Sequence, residues 1–517
     1  MRLNSKLSVL LGLAAPGLAL PGPSVAFLND RSPNLARAQA VKSAFRTSWD
    51  GYYKHAFPHD SLRPTSNTYT DDRNGWGVTA IDSLSTAIIM RDKDTVNKIL
   101  DFVPTLDFTT TKKENELVSV FESNIRYLGG LLSGYDLLKG PFKDLASDPS
   151  KVDALLKQAR TLADSLSIAF DTPSGVPEGD IYLNPEPRRK ESGSNSIAGF
   201  GTLVLEWTRL SDLTGDDKYA KLAQRGEQHI LRPKGSPEAF PGLVGYRVST
   251  ETGEFLDSRG AWGGGTDSFY EYLIKMYLYD PEEFGEYKER WVAAVDSTIK
   301  YLASHPSTRE DLTFVADYDG PNPIYRSGHL NSFVGGNIIL GGILLKEQKY
   351  IDFGLELAES YFATYLGTPS GIGPESFAWI DSAADEPGEG PPADQAELYE
   401  ESGFWVRSGA YILRPETMES LYFAYRVTGD SKWQDLAWEG FQTMSELCRA
   451  GSGFSGLRNV RDSRGGGHDD FQQSFWLAET LKYLYLIFSE DSPVQVQADK
   501  PNEFVYNTEA HPVRVRG

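Results

Sequence analysis

Apolar residues recur at helical spacing along almost the whole chain, and the periodic segments come in pairs joined by short polar turns. The spacing predicts helices over 41–53, 81–90, 117–138, 152–170, 198–210, 217–231, 268–279 and 287–302. Others follow over 335–345, 350–365, 415–427, 431–448 and 472–488. Strict alternation, the mark of a half-buried strand, is confined to short runs. Two turns are near copies: Thr214-Gly-Asp-Asp-Lys-Tyr219 and Thr428-Gly-Asp-Ser-Lys-Trp433. In each, Gly suits the left-handed end of one helix, and the Asp or Ser after it can cap the next. The copies stand 214 residues apart, an integral number of helical hairpins of roughly 70 residues, and such a period signals a solenoid or a closed toroid. No polar capping repeat stands at either end, which favours closure.

No Pro/Ser-rich linker divides the chain, so one domain is expected. The acidic stretch DEPGEGPPAD, Asp385 to Asp394, is expected to be an exposed loop. Arg2 and Lys6 followed by the apolar stretch Leu7 to Leu20, with small residues at Ser24 and Ala26, read as a secretory signal cleaved near Ala26, or else at Ala19. That places the protein in the secretory lumen or outside the cell. No stretch approaches the length of a bilayer span. The net charge of −21, with no run of Lys or Arg longer than the three of Arg188-Arg-Lys190, argues against nucleic acid and anionic membranes as partners and is compatible with a neutral substrate. The lone Cys448 cannot form an internal disulfide.

The informative residues are acids in unusual settings. Glu122 and Arg126 share a face of an otherwise apolar helix, and burial beside Phe121 and Ile125 is expected to raise the Glu122 pKa and suit it to proton donation; a purely structural ion pair is the competing reading. Asp267 follows Gly263-Gly-Gly-Thr266 and opens an aromatic helix, as an N-cap would, with Glu271 one turn on. Arg414-Pro-Glu416 opens a helix that carries Glu419 on the same face, a like-charge pair that water, a cation or polar ligand groups must offset. Glu375 and Glu479 also sit among apolar residues. In Asn507-Thr-Glu-Ala-His-Pro512, the Thr508 hydroxyl and carbonyl can ligate a hard cation.

Other chemistries lack their parts. The seven histidines are scattered without H-E-x-x-H. G-x-S-x-G and the phosphate-cradling glycine loops are missing too. Paired carboxylates, many aromatics and oxygen ligands remain, and these are the parts of glycoside hydrolysis.

The segments FESNIRYLGGLLSGYDLL, TDSFYEYLIKMY, GIGPESF, LRPETMESLYFAYRVTGD, SFWLAETLKYLYLIF and FVYNTEAHP together resemble glycoside hydrolase family 47, the class I α-1,2-mannosidases, with the secreted fungal members nearest. The resemblance runs over 36–515 and implies a single catalytic domain there, an all-α (αα)7 barrel with a C-terminal β-hairpin plugging one end. It implies a monomer that trims high-mannose N-glycans with inversion, and Ca2+ held by Thr508 with waters. By motif, Glu122 corresponds to the general acid, Glu416 to the base and Asp267 to a third catalytic carboxylate, with the proton's source open between Glu122 and Asp267. Arg126, Glu271, Glu375, Arg414, Glu419, Glu479 and Glu509 match the polar shell around sugar and metal. His329, Leu330 and Phe475 match the walls of the sugar pocket.

The chain departs from the family pattern at two places. A family disulfide is missing at both ends, where Ser332 and Tyr361 stand. Gly265 occupies a position where single-mannose trimmers carry Arg, which implies broad α-1,2 trimming. Two other readings compete: a lectin-like relative that binds mannose glycans with little turnover, and a different helical-toroid enzyme such as a glucanase.

Overall fold

The computed structural model describes residues 31–235, 238–384 and 389–516. The expected signal segment 1–26 and residues 385–388 of the acidic stretch lie outside them.

Fourteen helices form two concentric rings among the described residues. They are α1 (Arg31–His55), α2 (Val78–Ile89), α3 (Lys93–Phe102), α4 (120–139), α5 (Pro149–Leu166), α6 (Val204–Thr214) and α7 (Lys218–Leu231), then α8 (Asp267–Tyr279), α9 (Gly285–Ser297), α10 (Phe333–Leu345), α11 (Gln348–Gly367), α12 (Glu416–Thr428), α13 (Ser431–Leu447) and α14 (476–488). The inner ring runs α2, α4, α6, α8, α10, α12, α14 and closes where α14 meets α2; each inner helix also packs on an outer partner, with α1 covering α14. This is an (αα)7 barrel.

The two rings follow from the sequence pattern. Inner helices are enclosed on every side, so α2 has all twelve residues buried and needs no polar face. Outer helices show water one face and are amphipathic. The helix α3, KDTVNKILDF, was not among the expected ones: it is ten residues long and buries only Thr95, Val96, Ile99 and Leu100, too brief a stripe to stand out. The repeated turns end their helices as read, but the capping side chain is the Asp directly after each Gly, not Asp217 or Ser431 one residue on. Gly215 (φ 70°) and Gly429 (φ 66°) end α6 and α12 in the left-handed region. Asp216 and Asp430 then accept the N–H groups of Lys218 and Lys432 at 3.2 and 2.9 Å. The two turns belong to the third and sixth helical pairs, three units apart.

Strands are short and lie in the loops. The last two, β1 (Phe504–Tyr506) and β2 (Pro512–Arg514), pair antiparallel with Val505 opposite Val513. Their turn enters the barrel, and Asn507, Ala510 and His511 are fully buried there. Gly129 on α4 makes room for it, because a Cβ at that position would stand 2.4 Å from Asn507 Nδ2. The turn is held by Asn507, whose Oδ1 accepts the Glu509 and His511 N–H groups at 2.9 and 2.8 Å. The hairpin plugs one end of the barrel.

Candidate active site

A cavity of about 430 Å³ opens at the other end. Residues from the N-terminal ends of α4, α8, α10, α12 and α14 line it. Helix N-termini carry partial positive charge, so this end of the barrel suits the carboxylates that collect there. Two wide π-type turns, Ser123–Leu128 and Trp476–Thr480, carry Arg126 and Glu479. Such bulges inside helices are frequent at functional sites.

Arg126, Asp267, Glu271, Leu330, Arg414, Glu416, Glu419, Phe475, Glu479, Thr508 and Glu509 all line this one cavity, although the chain separates them by up to 383 residues. Three expected residues sit beside it. Glu122 lies at its edge, bonded to the lining residue Arg126. Glu375 lines an adjoining cavity of about 850 Å³ that shares Gly264, Leu330 and Arg414 with the first. His329 is buried behind Glu416 instead of standing on the wall.

The carboxyls hold different charge states. Glu122 Oε2 accepts Arg126 Nε at 2.7 Å and Arg73 Nε at 3.3 Å. Burial acts to raise its pKa, but the two guanidiniums outweigh burial and hold it at about 2. The expected upward shift is therefore reversed: flanking apolar residues were visible in the sequence, while Arg73, from a distant loop, was not. Asp267 goes the other way. Burial pushes it up to about 7, with the Glu271 and Glu416 charges adding to the effect and two Ser268 hydrogen bonds opposing it. It does not cap its helix in the usual manner; its Oδ1 accepts the N–H of the next residue, Ser268, at 2.8 Å.

Glu416 Oε2 meets His329 Nδ1 at 2.9 Å, and Tyr365 OH meets His329 Nε2 at 2.7 Å. An ionised Glu416 accepting Nδ1–H, with Tyr365 donating to Nε2, satisfies every group in that chain. Burial acts to raise the Glu416 pKa, but the His329 bond and the Arg414 charge lower it below the usual carboxylate range. Arg414 is fixed in turn by a fork to Glu375, at 2.7 and 2.5 Å. The residue before it, Leu413, is buried with φ 68°. Strained backbone of this kind clusters at functional sites.

The floor holds Glu271, Glu419, Glu479 and Glu509 around Thr508, opposed by Arg126 and Lys275. Thr508 Oγ1 donates to Glu271 Oε2 at 2.7 Å, and Lys275 pairs with Glu271. Burial pushes Glu419 up to about 8 and Glu479 and Glu509 well above the usual range, neighbouring carboxylates adding to each. The floor thus carries more acid than its bases neutralise. No group of three or more His, Cys, Asp or Glu side chains converges to cage an ion directly among the described residues. A cation here would be held by the Thr508 oxygens and by water, with the carboxylates beyond.

Sequence reading missed Arg73, Lys275 and Tyr365. Lys275 had a signal, the i, i+4 spacing from Glu271; the other two are joined to the site only by the fold. The positions of the missing disulfide are filled by hydrogen bonds. Ser332 Oγ meets Thr417 Oγ1 at 2.9 Å, and Tyr361 OH meets Ser327 Oγ at 2.7 Å.

The chain is similar to known proteins over nearly its whole length. A mannosyl-oligosaccharide alpha-1,2-mannosidase of Penicillium citrinum is 52% identical, over 93% of this chain and 92% of its own. A probable mannosyl-oligosaccharide alpha-1,2-mannosidase 1B of Aspergillus clavatus is also 52% identical, over 98% of each chain. The solved alpha-1,2-mannosidase of Trichoderma reesei superposes with a TM-score of 0.93 at 61% identity, covering 93% of this chain and 99% of that one. The sequence pattern of one glycosidase family matches residues 44–515, which include every carboxylate of the cavity. A barrel of paired helices, a carboxylate-lined pocket at one end and relatives of this identity lead to one conclusion: the chain is a glycoside hydrolase and belongs to glycosyl hydrolase family 47.

Proposed function

We propose that this hydrolase is an inverting exo-α-1,2-mannosidase that trims terminal mannose from high-mannose N-glycans in the secretory lumen or outside the cell, with calcium at the cavity floor. The observation that carries the reading is the meeting of Glu416 and Asp267 with Thr508 on one pocket, where burial raises the Asp267 pKa while His329 and Arg414 lower that of Glu416. Inversion needs one ionised carboxylate to activate water and one protonated carboxyl to release the leaving oxygen, ~6.5–9.5 Å apart. Glu416 is the base. Its ionised form is kept by Arg414 and His329, and Tyr365 orients the His329 ring.

Two carboxyls can supply the proton. Asp267 holds one near neutrality, and Glu122 gains one only if bound sugar loosens both Arg126 and the 30% exposed Arg73 from it. Leu330 and Phe475 give the pocket an apolar wall for a sugar ring, and the Arg414–Glu375 fork stands between the two cavities, where the rest of the glycan would lie. The acid surplus around Thr508 suits a hard divalent cation, which when bound neutralises the floor and orders sugar hydroxyls and water. The relatives' names support the mannose assignment.

The test is anomer-resolved NMR of mannose release from an α-1,2-mannobiose, with calcium and with chelator. β-Mannose is expected first, with loss of release on chelation and in Glu416→Gln. First appearance of α-mannose, or undiminished release by Glu416→Gln, overturns the scheme.

A further inference from the structure

Behind the floor, Glu206 on α6 is fully buried, and the chemistry above makes no use of it. Its Oε1 accepts two hydrogen bonds, from Asn507 Nδ2 at 2.8 Å and from Tyr272 OH at 2.8 Å. Both donors lead to the hairpin turn. Asn507 folds that turn through its Oδ1, and the Tyr272 hydroxyl accepts the backbone N–H of Thr508 at 3.2 Å. Thr508 is therefore gripped from two sides, and both grips end on one carboxyl oxygen.

The other oxygen of Glu206 raises a separate question. Oε2 is buried and receives no hydrogen bond, and the same is true of Asn124 Oδ1. Asn124 is within hydrogen-bonding range of Glu206, a contact that favours the ionised carboxylate, and one of its two amide N–H groups goes to Thr202 O at 2.9 Å. An orphaned carboxylate oxygen is costly in a dry interior. A proton on Oε2 removes the buried charge and turns that oxygen into a donor. Burial, which pushes the Glu206 carboxyl up to about 7, is in keeping with that neutral form.

We propose that Glu206 is a positioning residue: its buried carboxyl aims the Thr508 oxygens at the cavity through Asn507 and Tyr272. The inference rests on the reading of Thr508 as the cation ligand, and the test separates the two. Full-length protein is stripped with chelator, then titrated with calcium while thermal unfolding is followed, and the half-saturating calcium concentration is read from the shift in Tm.

Glu206→Gln keeps an acceptor for Asn507 and Tyr272 and supplies an N–H for Asn124, so its half-saturation is expected within about two-fold of the parent. Glu206→Leu removes the grip and is expected to raise half-saturation about 10- to 100-fold, the range typical of groups that orient a metal's ligands. Tyr272→Phe cuts one arm and is expected to fall between them; if Glu206→Leu fails to fold, Tyr272→Phe and Glu206→Gln decide. A lower basal Tm with unchanged half-saturation in both Glu206→Leu and Tyr272→Phe makes Glu206 merely structural and overturns the proposal. Absence of any calcium shift in the parent protein overturns the calcium reading itself.

Discussion

Glu122 and Asp267 sit in the same barrel end, and their partners drive them in opposite directions. Glu122 has two guanidiniums and stays ionised down to about pH 2; Asp267 has carboxylates for neighbours and keeps its proton to about 7. If Asp267 is the proton source, kcat/KM falls as pH rises through about 7, because the free enzyme then loses the proton it must donate. In Asp267→Asn the residual activity should lose that alkaline limb, while Glu122→Gln should retain it. A limb that survives in Asp267→Asn rules out Asp267 as its source. For stability the sign is separate. The depressed pKa of Glu122 contributes stability above its ordinary 4.5, lost as pH falls toward about 2. At this scale the sequence shows which acids are out of place, since an acid among apolar residues is visible locally. It does not show their charge state, which depends on Arg73, Arg414 and His329 arriving from other parts of the chain.

At the scale of elements, the legible parts were those with a local cause. Thirteen helical segments were readable from apolar period because inner helices bury whole faces. The Thr-Gly-Asp turns were readable because a left-handed residue and a cap have fixed residue preferences. A Cβ at Gly429 would meet nothing within 4 Å, so a side chain there costs only the left-handed backbone. Gly429→Ala is accordingly expected to destabilise by about 1–2 kcal/mol without changing KM; thermal denaturation and kinetics on one preparation check both halves. The terminal hairpin was legible only through family resemblance. Its strands are three residues each, and nothing local says that their turn lies inside a barrel.

At the scale of the whole molecule, ring closure sets what the substrate can be. The hairpin blocks one end, and the pocket is reached from the other, beside the larger cavity lined by Tyr246, Arg247, Arg326 and Arg407. A blind pocket admits a chain end, which is why an exo mode of attack fits. Gly265 stands at the seam with φ 88°, and a Cβ there would lie 2.1 Å from the Tyr246 ring. At this position the seam carries no side chain that would read one particular branch. Complete digestion of a nine-mannose glycan is expected to reach five mannoses, and accumulation of a single eight-mannose isomer would refute broad trimming. Closure was legible in outline from the hairpin period and the lack of capping repeats, but the meeting of α14 with α2 is a long-range fact that no window of sequence contains.

The order in which the parts are synthesised has its own consequence. Thr508 and Glu509 follow all fourteen helices in the chain, and α1, the first, packs on α14, the last. A nascent chain stalled anywhere before the hairpin has a breached wall or an open floor, however well its earlier helices have formed. The pocket therefore gains its full lining only when the hairpin that follows the fourteenth helix has docked, however complete the rings before it.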